Sequence, residues 1–206
     1  MALRDDYQKL VMNGKPVGYW PLRENADDVS GRDNHGEEYG SPEFIHDDSG
    51  GWVRLDGKSY LEVSSQPVFS QPASEFGLTV EVWMQAHSLH YPTPETYIHW
   101  LGKGESGKHE WAFRLYSDDS TRSSRLSAYI WNKEGGEGAG AHLKCGISCN
   151  RWMHLMACFE PGSAARLSVV SSSPRTANSS KVHRRQQRFT NTRLVGASHL
   201  KQARHH

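Results

Sequence analysis

Apolar and polar positions alternate along much of the chain. Residues 78–84 are the clearest case: Leu78, Val80, Val82 and Met84 fall on one parity, and Thr79, Glu81 and Trp83 on the other. In a strand, successive side chains point to opposite faces, so a period of two predicts a half-buried strand. Short apolar and aromatic runs recur at Tyr19-Trp20 and at residues 52–55, 60–63, 97–101, 111–116, 126–131 and 152–159. Turn formers separate them: Asp56-Gly57, the glycines of 102–107 and 135–140, and Pro161-Gly162. Many short strands at this spacing predict an antiparallel sandwich or barrel. The body shows no convincing helical periodicity, and its strands do not alternate with helices, which argues against a parallel α/β enzyme.

Beyond residue 161 the pattern breaks down. An apolar scrap at 167–170 gives way to SSSPRTANSSKVHRRQQRF. Such a segment buries too little apolar surface to offset its chain entropy, so most of it is expected to be disordered. Charge marks the same boundary. Residues 1–161 hold 15 Lys and Arg against 23 Asp and Glu, whereas 162–206 hold 9 basic residues and no acid. All seven Trp and all eight Tyr precede residue 162. The 206 residues thus divide into a domain, 1–161, and a basic Ser/Arg-rich tail, 162–206.

Composition removes several classes of function. No run approaches the 18 apolar residues of a spanning helix, so no membrane insertion is expected. The opening MALRDDYQKL lacks the apolar core of a signal peptide. Cys145, Cys149 and Cys158 form no CxxC pair and fall short of a structural zinc set, so they are expected to be idle thiols. A Cys145–Cys149 disulfide stays open for an exported protein. Asn178-Ser179-Ser180 is a glycosylation sequon, relevant only in a eukaryotic secretory pathway.

The body also resembles a known family. YQKLVMNGKPVGYWPL (7–22) looks like a first strand, followed by Asp28-Val29-Ser30-Gly31 and Asn34-His35-Gly36 as a D-x-S-G…N-H-G turn. VRLDGKSYLEV (53–63), FGLTVEVWMQA (76–86), WLGKG (100–104), EWAFRLY (110–116), SAYIWN (127–132) and RWMHLMACF (151–159) follow in order. Together these segments resemble the laminin G-like, concanavalin A-like jelly-roll modules of bacterial and phage proteins. The resemblance implies an all-β fold, an antiparallel β-sandwich, over about residues 7–161. It also implies extracellular, cell-surface or virion use. The family then continues with L-Y-x-N-G, L-R-I-G and I-D-E-V strands. The acid-free tail lacks the last of these, and TRLVGA (192–197) only faintly echoes the second. The expectation is a truncated or frameshifted product that has lost the last third of its jelly roll. The alternative is a genuine basic tail.

Catalytic motifs fail on inspection. Gly102-x4-Gly107-Lys108 lacks the Ser or Thr of a P-loop and precedes an aromatic strand, so it is expected to be a hairpin. His109-Glu110 is not completed to H-E-x-x-H because residue 113 is Phe, and Gly146 to Asn150 lacks the second glycine of a nucleophile elbow. Glycoside hydrolysis needs two carboxyls flanking one bond, and only Glu81 and Glu110 are offered by these strands. A glycosidase or polysaccharide lyase is therefore the third function in rank. Asp27, Asp28, Asp33 and Asn34 make an oxygen-rich turn. The resemblance implies a structural calcium held by Asp28 and Asn34, against a simple solvated turn.

Sandwich lectins stack sugars on aromatic rings and bind the hydroxyls with polar neighbours. Trp100, Trp111 and Trp131 are the candidate rings, and Glu110, Arg114 and Asn132 the candidate hydrogen-bonding groups. Trp20, Trp83 and Trp152 are expected in the core. The basic residues Arg184, Arg185 and Arg188 have only Phe189 as an aromatic companion, so no nucleic-acid partner is expected. The expected function is non-catalytic recognition of carbohydrate, such as a surface glycan, on a concave face or rim. A structural or adhesion module that binds protein is second.

Overall fold

The computed structural model describes residues 2–47, 50–70, 77–91, 97–105, 108–123, 125–131, 138–144, 147–159, 166–171 and 193–195. It is an all-β sandwich. The chain begins with helix α1 (Ala2–Asn13). It continues through β1 (Gly18–Tyr19), β2 (Gly36–Tyr39), β3 (Glu43–Asp47), β4 (Gly50–Arg54) and β5 (Tyr60–Val63). A single 3-10 turn, Pro67–Phe69, leads to β6 (Leu78–Gln85), β7 (Tyr97–Lys103), β8 (Trp111–Tyr116) and β9 (Arg125–Ile130). The last described strands are β10 (Ala139–Lys144), β11 (Trp152–Phe159), β12 (Arg166–Ser171) and β13 (Arg193–Val195).

Two sheets form the sandwich. One has the order β10-β9-β8-β7 and is antiparallel throughout. The other has the order β1-β13-β6-β11-β12; β11 pairs antiparallel with β6 and β12, whereas β13 lies parallel to β1 and β6. The antiparallel pair β2/β5 and the hairpin β3/β4 between them in sequence complete the described strands. Strands β12 and β13 both come from the segment beyond residue 161 that composition sets apart.

Alternation decides which side chains meet between the sheets. From β6 come Leu78, Val80, Val82 and Met84, and from β11 Met153, Leu155, Ala157 and Phe159. Facing them are Ile98 and Trp100 of β7, Trp111, Phe113 and Leu115 of β8, and Leu126 and Ala128 of β9. All belong to one buried cluster, and each large side chain stabilises the fold by roughly 1.5–3 kcal/mol when fully buried. The register of β7 against β8 slips between His99 and Leu101. This bulge lets Trp100 and Leu101, adjacent in sequence, both pack toward the core. The Gly-rich segment after β7 joins two antiparallel strands, as a hairpin does. Gly104 there has φ +101° and closes on the Lys108 carbonyl, where a side chain would collide.

The N-terminus departs from expectation. Residues 2–13 form a helix, and only Gly18–Tyr19 of the expected first strand is a strand. Tyr7 and Val11, four residues apart, lie on one face of this helix. Val11 is fully buried and packs with Tyr19, Tyr7 and Met12 in a small second cluster. Gly14 and Lys15 donate to the Val11 and Met12 carbonyls, and Pro16 then ends the helix.

Candidate functional site

The outward positions of the four-stranded sheet carry a polar aromatic patch. On β8, Trp111, Phe113 and Leu115 face the core, so Arg114 faces outward. Its direct cross-strand neighbours are His99 on β7 and Ser127 on β9. The Arg114 guanidinium lies 4.5 Å from the Tyr97 ring centre, 4.5 Å from Tyr129 and 4.8 Å from Trp131. Rings attract the cation through their quadrupole and hold the planar guanidinium in place. Tyr129 and Trp131 share one parity of their strand and stack at 5.9 Å with 27° between planes.

Two imidazoles border the patch. Arg114 Nε–H donates to His99 Nε2 at 2.9 Å, which requires that nitrogen to be an unprotonated acceptor. His109 lies 4.3 Å from His99 and 5.6 Å from Trp131, ring centre to ring centre. Burial first, and the Arg114 charge second, push the His109 pKa below its ordinary value. Arg114 is therefore the resident cation of the patch at neutral pH. Strand β10 contributes space instead of side chains. A Cβ at Gly140 would lie 2.7 Å from the Tyr129 ring, and one at Gly138 would lie 2.8 Å from Trp131. The two aromatic rings thus rest directly on glycine backbone.

This geometry sorts the sequence candidates. Arg114 and Trp131 do come together, and Trp131 is half-buried. Trp100 and Trp111, at 1% and 4% exposure, point into the core and offer no face to a ligand. Trp111 donates its indole N–H to the Phe69 carbonyl at 2.8 Å. Glu110 sits in the turn before β8 and pairs with Lys103 at 3.0 Å; its backbone carbonyl accepts from the Trp131 N–H. Asn132 lies outside the described residues. Tyr97, His99, His109 and Tyr129 were not anticipated, although the alternation of 97–99 and 129–131 marks Tyr97 with His99, and Tyr129 with Trp131, as sharing a face.

The Asp28 turn is built differently from a cation site. The Asp28 carboxylate accepts from the backbone N–H groups of Tyr19, Ser30 and Asn34 at 2.8, 2.8 and 3.1 Å, and from the Ser30 hydroxyl at 2.8 Å. Burial alone would raise its pKa, but these donors outweigh it and hold the carboxyl below the usual aspartate range. The Asn34 side-chain amide donates to the Val17 carbonyl, and the Asn34 backbone carbonyl accepts from the Trp20 indole N–H. Asp27 and Asp33 flank His35 at 3.3 and 3.8 Å. Both Asp28 oxygens are thus directed at N–H and O–H donors, which does not fit a calcium ion needing six to eight oxygens. Among the described residues no group of three or more His, Cys, Asp or Glu could hold a metal.

A second polar constellation occupies the outer face of the five-stranded sheet, beneath α1. Glu81, 1% exposed, accepts from the Tyr7 hydroxyl at 3.2 Å and lies 2.7 Å from His154 Nε2. Trp83 donates to the Tyr7 oxygen and stacks on His154 at 4.7 Å. Trp83 is 38% exposed, so it is a surface residue of this face and not a core one. Trp20 is buried as expected, and Trp152 is half-buried edge-on to Trp52. Burial, then the Glu81 charge, push the Tyr7 hydroxyl above its ordinary range, so it remains a donor. Glu81 lies on β6 of the five-stranded sheet and Glu110 in the turn before β8 of the other, so they do not flank a common space. Cys149 is exposed and Cys158 buried; Cys145 and the arginines of 184–188 lie outside the described residues.

No protein-family model, no curated protein and no solved structure matches the chain. No helix among the described residues is long and apolar enough to cross a membrane.

Proposed function

We propose that the chain is a non-catalytic module that binds carbohydrate on the outward face of its four-stranded sheet, in a sandwich of laminin G-like jelly-roll type. The observation that carries this is the clustering of Tyr97, Tyr129 and Trp131 around Arg114. Flat rings suit the C–H faces of a sugar, and a fixed guanidinium supplies directed donors to its oxygens. Rings held on a rigid sheet lose little freedom when a ligand arrives. Surface glycans are the natural ligand class, which fits extracellular, cell-surface or virion use.

A glycan array probed with the wild-type chain and with Trp131→Ala and Tyr129→Ala tests this. Binding that falls about tenfold or more in either variant, with the fold retained, is the expected outcome. A chain that binds no glycan, or whose binding ignores both substitutions, refutes it. The second outcome with intact folding would favour an adhesion module that binds protein.

A further inference from the structure

We infer that the saccharide taken by this patch is anionic, with a carboxylate or sulfate seated on the free edge of Arg114. The inference rests on the carbohydrate-binding role proposed above and specifies its ligand class. Three observations support it. Strands β7 to β10 contain no Asp or Glu, so no carboxylate on these strands neutralises Arg114. Neutral sugars present hydroxyls that must both donate and accept, and recognition of them uses protein acceptors; this face is rich in donors. Secondly, of the five guanidinium N–H groups only Nε–H has a protein acceptor among the described residues, namely His99. The two terminal nitrogens are left for a two-oxygen anion, which matches their fork. Thirdly, Ser127, paired directly with Arg114, is fully buried on the same face, and its hydroxyl has no hydrogen-bond partner among the described residues. A buried hydroxyl without a partner among the described residues, beside a cation that no carboxylate of these strands neutralises, is a donor for an arriving oxyanion. Tyr97, Tyr129 and Trp131 meanwhile fix the guanidinium, so little side-chain entropy is lost on pairing.

The test uses matched ligands that differ only in charge: oligogalacturonate against its methyl ester, and dextran sulfate against dextran. Affinities are measured by calorimetry for the wild-type chain and for Arg114→Gln, Arg114→Lys and Trp131→Ala, with near-UV circular dichroism confirming folding. The expected result is at least about tenfold tighter binding of one charged ligand than of its neutral twin. Arg114→Gln should abolish that preference and Arg114→Lys should retain part of it, while Trp131→Ala weakens both twins. The pair that shows the preference identifies carboxylate or sulfate as the anion. Equal binding of both twins, still weakened by Trp131→Ala, overturns the anionic inference and leaves carbohydrate binding standing. A preference that survives in folded Arg114→Gln overturns the assignment to Arg114. Binding of none of the four ligands, together with a blank glycan array, overturns both.

Discussion

Replacing Asp28 with Ala removes the acceptor around which the first turn of the domain is organised. Four hydrogen bonds end on this carboxylate, three of them from backbone N–H groups. The Ser30 and Asn34 groups are half-buried and regain water after the substitution. The Tyr19 N–H is buried and is left without an acceptor, which costs about 1–3 kcal/mol by itself. Adding the lost charge-assisted bonds at partial compensation gives a destabilisation of roughly 2–4 kcal/mol. Asp28→Asn keeps one oxygen and should lose about half of that. Urea unfolding followed by tryptophan fluorescence is the assay, since Trp20 donates to the Asn34 carbonyl within the same turn. The sign of the pH dependence follows from the depressed native pKa. The contribution is complete above the unfolded value near 3.8 and is lost as pH falls through the lower native value. Wild type and Asp28→Ala should therefore converge in stability toward strong acid. Calcium or a chelator should leave both melting temperatures unchanged. A loss below about 0.5 kcal/mol at pH 7, or a melting temperature that rises with calcium, would refute the reasoning.

Three other outcomes follow from the packing. Tyr7→Phe removes the hydroxyl between Glu81 and Trp83 and should cost about 1–2 kcal/mol, with faster amide exchange confined largely to residues 2–13. Gly140→Ala forces a methyl to within 2.7 Å of the Tyr129 ring and 2.8 Å of the Ala128 carbonyl. It should lower stability by about 1–3 kcal/mol in chemical denaturation and weaken glycan binding as the ring shifts. Phe113→Ala opens a cavity at a fully buried position and should cost about 3–5 kcal/mol by the same assay.

The strands were legible in the sequence because period-two alternation is a local property of the chain. Residues 78–84 divide in the structure as they do on paper. The same parity carried unused information about the site. In WAFRLY, Trp111 and Arg114 sit on opposite parities, so they could not both face a ligand from one flat strand. Trp100 likewise shares its parity with the apolar Ile98 and opposes Tyr97 and His99; only the turn of Leu101 toward the core was hidden, because the slip between His99 and Leu101 is invisible without the partner strand. Helix α1 was missed because the resemblance favoured a strand over 7–22, while the Leu3-Tyr7-Val11 spacing argued for a helix. The Glu81 constellation joins residues more than seventy positions apart and has no local signature.

That separation bears on how the molecule assembles during synthesis. Helix α1 is synthesised before the strands it packs on, yet the Glu81 carboxylate that receives Tyr7 is also held by His154 of β11, about 150 residues after Tyr7. At typical elongation rates of about 5–20 residues per second, the helix waits on the order of ten seconds for its seat. A twelve-residue helix is marginal in water on its own. During that interval Tyr7, Val11 and the other apolar residues of the segment lack the partners that bury them, which leaves the segment open to chaperones and proteases. The pairing of β11 with β6, which brings His154 against Glu81, completes that seat.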